Sequence, residues 1–141
     1  MEYTVQYQQD LVGTPTSPET LTDTYTDNRS DTYPIGGMHS IVLYIQYTPA
    51  ENGSILYVQY EPGPVEARLY GITKRKDVSG DDSVIDRLAY VEKFVGTTAS
   101  TTYSKRFLMD EIADKYVRFS FKEGTTGAYG TIYAEMLYSG K

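Results

Sequence analysis

Alternation at a period of two is the feature that most constrains this chain. Val117, Phe119 and Phe121 are separated by Arg118 and Ser120, with Tyr116 and Lys122 flanking. Ile132, Ala134, Met136 and Tyr138 form a second comb against Thr131, Tyr133 and Glu135. Successive side chains of a strand point to opposite faces, so each comb reads as a strand with one core face and one wet face. Ile41-Val42-Leu43-Tyr44-Ile45 is apolar on both faces and reads as a central strand covered on both sides, as does Ile55 to Tyr60. Glu66 to Lys74 and Val84 to Val95 read as longer strands with mixed faces. Thr101 to Leu108 and Tyr3 to Gln8 complete the set, and Leu21 to Tyr25 is a further candidate. The helical suspect is Met109 to Lys115, where Asp110 would cap about one turn.

Turn residues separate these runs. Pro49-Ala50-Glu51-Asn52-Gly53 reads as the loop of a hairpin, and Pro62-Gly63-Pro64 breaks the strand before it. Ser79-Gly80-Asp81-Asp82 and Gly124-Thr125-Thr126-Gly127 read as exposed loops. About eight short strands with regular turns imply an all-β chain, a single-domain β-sandwich of jelly-roll type over residues 1–141, with a closed barrel as the alternative. Residues 10–33 differ in texture. Thr, Asp, Ser and Pro dominate there, with Leu11, Val12, Leu21 and Tyr25 as the few apolar anchors. The composition predicts an extended N-terminal arm or a loop over the sandwich, able to become ordered against a neighbouring subunit.

The chain is long enough to bury a core without staples, and with no cysteine it has no disulfide framework. Its net charge of −6 disfavours a nucleic-acid-binding role. The basic triplet Lys74-Arg75-Lys76 reads as a solvated strand end. No apolar stretch approaches the ~20 residues of a membrane span. The start, Met1-Glu2-Tyr3-Thr4-Val5, lacks the basic and apolar regions of a signal peptide, so the chain is expected to fold where it is made.

No catalytic constellation emerges. The single histidine, His39, follows Gly36-Gly37-Met38 with no nucleophile-elbow pattern nearby, and reads as structural or solvent-facing. One His and no Cys do not make a zinc site. Asp77, Asp81, Asp82 and Asp86 cluster around Ser79-Gly80, but their spacing is not that of an EF-hand, and hydrated turn carboxylates are the simpler reading. The expectation is a protein without metal, cofactor or enzymatic activity.

Contact chemistry is better represented. The chain has 15 tyrosines among 141 residues and no tryptophan. Tyrosine joins a large apolar ring to a polar tip and is enriched at interfaces. Tyr57, Tyr60 and Tyr70, and separately Tyr133 and Tyr138, are candidates to line a sheet face against a protein or a sugar. With Leu11, Val12, Leu21 and Tyr25 from the arm, Tyr57, Tyr60 and Tyr70 form the expected set of partner contacts.

Two resemblances bear on this. Asp10-Leu11-Val12-Gly13-Thr14-Pro15-Thr16-Ser17, then Leu21-Thr22-Asp23-Thr24-Tyr25, then the strand from Ile41 to Tyr47, resemble small Thr- and Tyr-rich structural proteins of tailed bacteriophages. These include capsid decoration, or cement, proteins and other head or tail accessory proteins. The resemblance implies a sandwich-like subunit, often a homo-oligomer, docked on a major capsid protein or another virion protein and assembled in the host cytoplasm. Ala113-Asp114-Lys115-Tyr116-Val117-Arg118-Phe119 and Ile132 to Gly140 are similar to the closing strands of discoidin-like jelly rolls. The tryptophans and flanking cysteine pair of those domains are absent, which weakens glycan or lipid binding as an inference. The sequence thus favours a viral structural accessory protein of decoration type, with a carbohydrate-binding module as the alternative.

Overall fold

The computed structural model describes residues 5–36, 38–69, 92–110 and 114–140. Two antiparallel sheets account for most of them. Sheet A contains β1 (Val5–Val12), β2 (Glu19–Thr20), β4 (Met38–Thr48), β7 (Tyr103–Asp110) and β9 (Thr131–Gly140), in the order β1-β9-β4-β7 with β2 also on β9. Sheet B contains β3 (Tyr33–Pro34), β5 (Ser54–Gly63), β6 (Glu92–Gly96) and β8 (Tyr116–Gly124), in the order β3-β8-β5-β6. β1 and β2 run consecutively along β9 and act as one interrupted strand. Each strand of the first half then pairs with its mirror partner from the second half: β1 and β2 with β9, β3 with β8, β4 with β7, and β5 with β6. That is the winding of a long hairpin rolled into two sheets, a jelly-roll sandwich.

The inner faces follow the alternation. Ile41, Leu43, Ile45 and Tyr47 of β4 join Ile132, Ala134 and Met136 of β9 on one side of the core. Leu56, Val58 and Tyr60 of β5 join Val117, Phe119 and Phe121 of β8 on the other. Central strand β4 is covered on its inner face, while Val42 and Tyr44 on its outer face are half-buried. β5 extends through Pro62 and Gly63, which pair with Val117 and Tyr116, so that the break comes after Gly63. The candidate strand from Leu21 to Tyr25 is not a strand, and its last residue opens a single 3-10 turn, Tyr25–Asp27; Met109 and Asp110 of the helical suspect belong to β7. Val65 and Arg68 close a short turn inside the run predicted as a strand from Glu66. The rest of that run, most of Val84 to Val95, Tyr70, the Lys74-Arg75-Lys76 triplet and the Asp77 to Asp86 cluster lie outside the described residues.

The segment 10–33 is extended, as its composition implies, but it is bound into the sandwich. Leu11, Val12 and Leu21 are in the core, exposed by 8%, 3% and 1%. At Gly13 the chain turns with φ +67, and a Cβ there would lie 2.8 Å from the Ile132 carbonyl oxygen, so only glycine fits this approach to β9. The chain then crosses between the sheets. The Leu21 N–H donates to Gly130 O, and Thr22 O accepts from the Glu123 N–H on β8. Asn28 holds the crossing: its Oδ1 accepts from the Thr22 N–H at 3.0 Å, and its Nδ2 donates to Thr20 O at 2.9 Å and Glu19 Oε1 at 3.0 Å. Beyond it, Asn28 O and the Ser30 N–H bond to Phe121 and Phe119 of β8, and the Ile35 N–H bonds to Lys115 just before that strand. The arm is therefore the edge of both sheets. Its main chain finds partners at Gly130 and along β8, and Leu11, Val12 and Leu21 fill this chain's own core rather than a neighbour's pocket, while Tyr25 stays half-buried outside that core.

Candidate functional site

The period of two sorts the candidate tyrosines. Tyr57 and Tyr60 are three residues apart and so point to opposite faces of β5. Tyr60 is inward, 1% exposed, packed on Phe119 with ring centroids 5.6 Å apart. Among the described residues its buried hydroxyl has no hydrogen-bond partner, and burial, then the charge of Asp114, raise its pKa above the usual phenol value. It belongs to the core and is no contact residue. Tyr133 and Tyr138 divide in the same way. Tyr138 stacks on Tyr7 at 5.3 Å on the inner side, and Tyr133 lies on the outer face of sheet A. No single face can hold both members of either pair.

The outer face of sheet B gathers two of the predicted contacts. Tyr57 pairs with Lys122 of β8 and Lys93 of β6 in one cross-strand row. The Lys122 ammonium lies 4.6 Å from the Tyr25 ring centroid and 5.3 Å from that of Tyr57. A cation between two ring faces is attracted by both quadrupoles, about 0.5–1 kcal/mol each at exposed positions. The crossing segment thus brings Tyr25 within reach of Tyr57. One row along the strands, Ile55 pairs with Val95, which is 49% exposed.

Further along the same face, Glu61 is only 5% exposed. The Arg118 guanidinium binds its carboxylate through two donors, Nε at 2.9 Å and Nη2 at 3.2 Å. Arg29 reaches it from the crossing segment at 3.2 Å. The Ser120 hydroxyl donates to Glu61 Oε2 and accepts from Arg29 Nε at 3.0 Å. Ser120 was expected on a wet face. It points outward, yet it is fully buried because Arg29 and Glu61 close over it. Nothing in the alternation signals this, since the partner comes from a segment some 90 residues away.

The outer face of sheet A differs in charge. Asp10, Glu135, Tyr44 and Arg106 form one cross-strand row. Gln8 Nε2 donates to Asp10 Oδ1 at 2.8 Å and Glu135 Oε2 at 2.9 Å, and Tyr133 Oη sits within hydrogen-bond reach of the same two oxygens. Burial, then these carboxylates, raise the Tyr133 pKa well above the usual phenol value. The adjoining row is Gln8, Leu137, Val42 and Leu108, with Leu108 53% exposed.

Among the described residues no group of three or more His, Asp and Glu side chains converges as a metal-binding set would. His39 lies in β4, beside the irregularity between Met38 and Ser40, and its side chain is outside the described residues.

No protein family model matches the chain, and no curated sequence matches it. Solved structures do. A chain of the T13 particle of infectious bursal disease virus superposes with a TM-score of 0.57 at 8% identity, covering 98% of this chain and 31% of that one. A structure of the Gx strain of the same virus gives 0.54 at 9% identity, covering 98% and 32%. The SPBc2 prophage-derived protein YomS matches over 99% of this chain and 96% of its own, with a TM-score of 0.49 and 8% identity. The chain spans about a third of the viral chains it matches, and at these identities the likeness is one of fold.

Proposed function

We propose that this chain is a structural accessory protein of a virion, a decoration or cement subunit that works by adhesion. The supporting observation is that its jelly roll matches part of a viral particle chain over 98% of its own length. The exposed chemistry fits adhesion. Tyr25, Lys122 and Tyr57 present aromatic and cationic groups on one outer face, beside Arg29 and Arg118. Tyr and Arg dominate the energetics of protein contacts, and repetition on a symmetric shell converts weak contacts into stable attachment. Tyr25 and Tyr57 are the residues carried forward from the sequence as partner contacts.

The test is co-sedimentation of the purified chain with particles from the cells that carry its gene. The parent should pellet with the particles, and Tyr57→Ala with Tyr25→Ala should weaken binding about thirtyfold, as expected for losing two anchors of ~1 kcal/mol each. A parent that stays in the supernatant overturns the reading. A second reading, glycan binding, draws on the same paired rings, since aromatic faces stack on sugars. It is favoured if the double variant loses binding to a glycan array while the parent ignores particles.

A further inference from the structure

The sequence holds two asparagines, Asn28 and Asn52, and the fold treats them oppositely. Asn28 is 1% exposed, is followed by Arg29, and has both ends of its amide bonded within the crossing segment. Asn52 is exposed and is followed by Gly53, also exposed, at the tip of the loop between β4 and β5. Asparagine before glycine is the pair that deamidates most readily without an enzyme. The nucleophile is the main-chain nitrogen of the next residue, and glycine has no side chain to shield it. Here that nitrogen is engaged. The Gly53 N–H donates to Gly96 O at 2.9 Å, and Asn52 Oδ1 accepts from the Ala99 N–H at 2.7 Å. Both partners come from the end of β6 and the turn that follows it. Ser100 of that turn has φ 62 and donates its N–H to Pro49 O at 2.8 Å. The turn therefore grips the β4–β5 loop at Pro49, Asn52 and Gly53.

We propose that Asn52 is a self-modification site whose amide is lost only when the β4–β5 loop comes away from the β6–β7 turn. The reaction begins when the Gly53 nitrogen gives its proton to hydroxide and attacks Asn52 Cγ. The N–Cγ bond forms, the Cγ–Nδ2 bond breaks, and ammonia leaves with a proton from water. Water then opens the five-membered ring, at Cγ to give aspartate or at the main-chain carbonyl to give isoaspartate. The folded loop opposes the first step twice. The bond to Gly96 O stabilises the protonated nitrogen, and the bond from Ala99 keeps the amide from turning onto it. With two bonds of ordinary net strength to release, about one molecule in thirty is competent, and the rate falls by the same factor. The products disturb the fold. Either one places a new carboxylate next to Glu51, whose Oε1 accepts from the Ala128 N–H at 3.2 Å. Isoaspartate also lengthens the main chain by one carbon and takes Gly53 out of register with Gly96. The loop joins inner strands of opposite sheets, β4 and β5, so the change loosens this end of the sandwich. Refolding does not undo it. Asn52 thus keeps a one-way record of how often this end has opened, whether or not the chain docks on a particle.

Incubation of the purified chain in mildly alkaline buffer, followed by peptide mapping with mass spectrometry, tests it. The peptide containing Asn52 should convert from amide to acid slowly in the native chain and about thirtyfold faster in urea that unfolds it. Ala99→Pro removes the N–H that Asn52 accepts and should speed native conversion about fivefold, the effect of losing one of the two bonds. Asn52→Gln keeps a carbonyl acceptor and should abolish conversion at this position, because its ring closes far more slowly. Hydrogen exchange gives a measure that needs no variant. The Gly53 and Ala99 amides of the parent should be protected about as strongly as conversion is slowed. Far-UV circular dichroism confirms that Ala99→Pro folds, and if it does not, the urea and exchange measurements decide. A native rate equal to or above the rate in urea overturns the inference. So do Gly53 and Ala99 amides that exchange without protection, or a folded Ala99→Pro that converts at the parent's rate.

Discussion

Sheet B holds two buried glutamates whose surroundings could hardly differ more. Glu61 on β5 points outward, and Glu123 on β8 points inward, paired with Leu56. Their exposures are 5% and 1%. Glu61 is covered by two arginines, each still about a quarter exposed. Glu123 accepts from the Tyr47 hydroxyl and, at 2.7 Å, from the Gly130 N–H. Glycine is required at 130, where a Cβ would lie 2.2 Å from the Thr48 carbonyl oxygen. Burying a carboxyl group costs free energy unless its hydrogen bonds are replaced. One glutamate is satisfied by cations that reach water, the other by groups held in the interior. The consequence is that the interior one should be harder to remove.

Glu123→Ala leaves a buried hydroxyl, a buried N–H and a void. With each orphaned group costing about 1–3 kcal/mol, the expected loss is roughly 3–5 kcal/mol in urea unfolding. Glu61→Ala leaves two guanidinium groups that water can reach. It should cost less, about 1–3 kcal/mol, and the gap between parent and variant should narrow in high salt. Equal losses at the two sites would erase the contrast. The mildest effect is on alkaline stability. Burial, then Glu123, raises the Tyr47 pKa above its ordinary 10.0, and burial also raises those of Tyr60 and Tyr133. A group with a raised folded pKa contributes stability that is intact below the unfolded value and is lost as pH rises toward the folded one. Stability should therefore be level up to about pH 10 and fall above it. Glu123→Ala should make that fall shallower and Glu61→Ala should leave it unchanged. An identical alkaline slope in parent and Glu123→Ala would sever Tyr47 from Glu123.

The same contrast marks what was legible in the chain. The comb of Val117, Phe119 and Phe121 identified its strand and its buried face, because period two is a local property. Applied strictly, the same period separates Tyr57 from Tyr60, a distinction that grouping by residue type had blurred. Leu21 and Asn28 were harder. Their neighbours are Thr and Asp, so the segment looks like a solvated loop, and its burial comes from Gly130, Glu123 and Phe121 far along the chain. The pairing of Tyr25 with Tyr57 through Lys122 follows from that crossing and had no local signal.

By itself, the sequence determined an all-β sandwich, the positions of its main strands and most of its core, because alternation and turn residues act over two to five residues. Only the tertiary structure decided that residues 10–33 are a shared edge, that Glu61, Ser120 and Glu123 are buried, and that cations gather on one outer face while Asp10 and Glu135 meet on the other. Those outcomes depend on which strands become neighbours. That choice is made by closure of the two sheets around a common core, which composition along one strand does not encode.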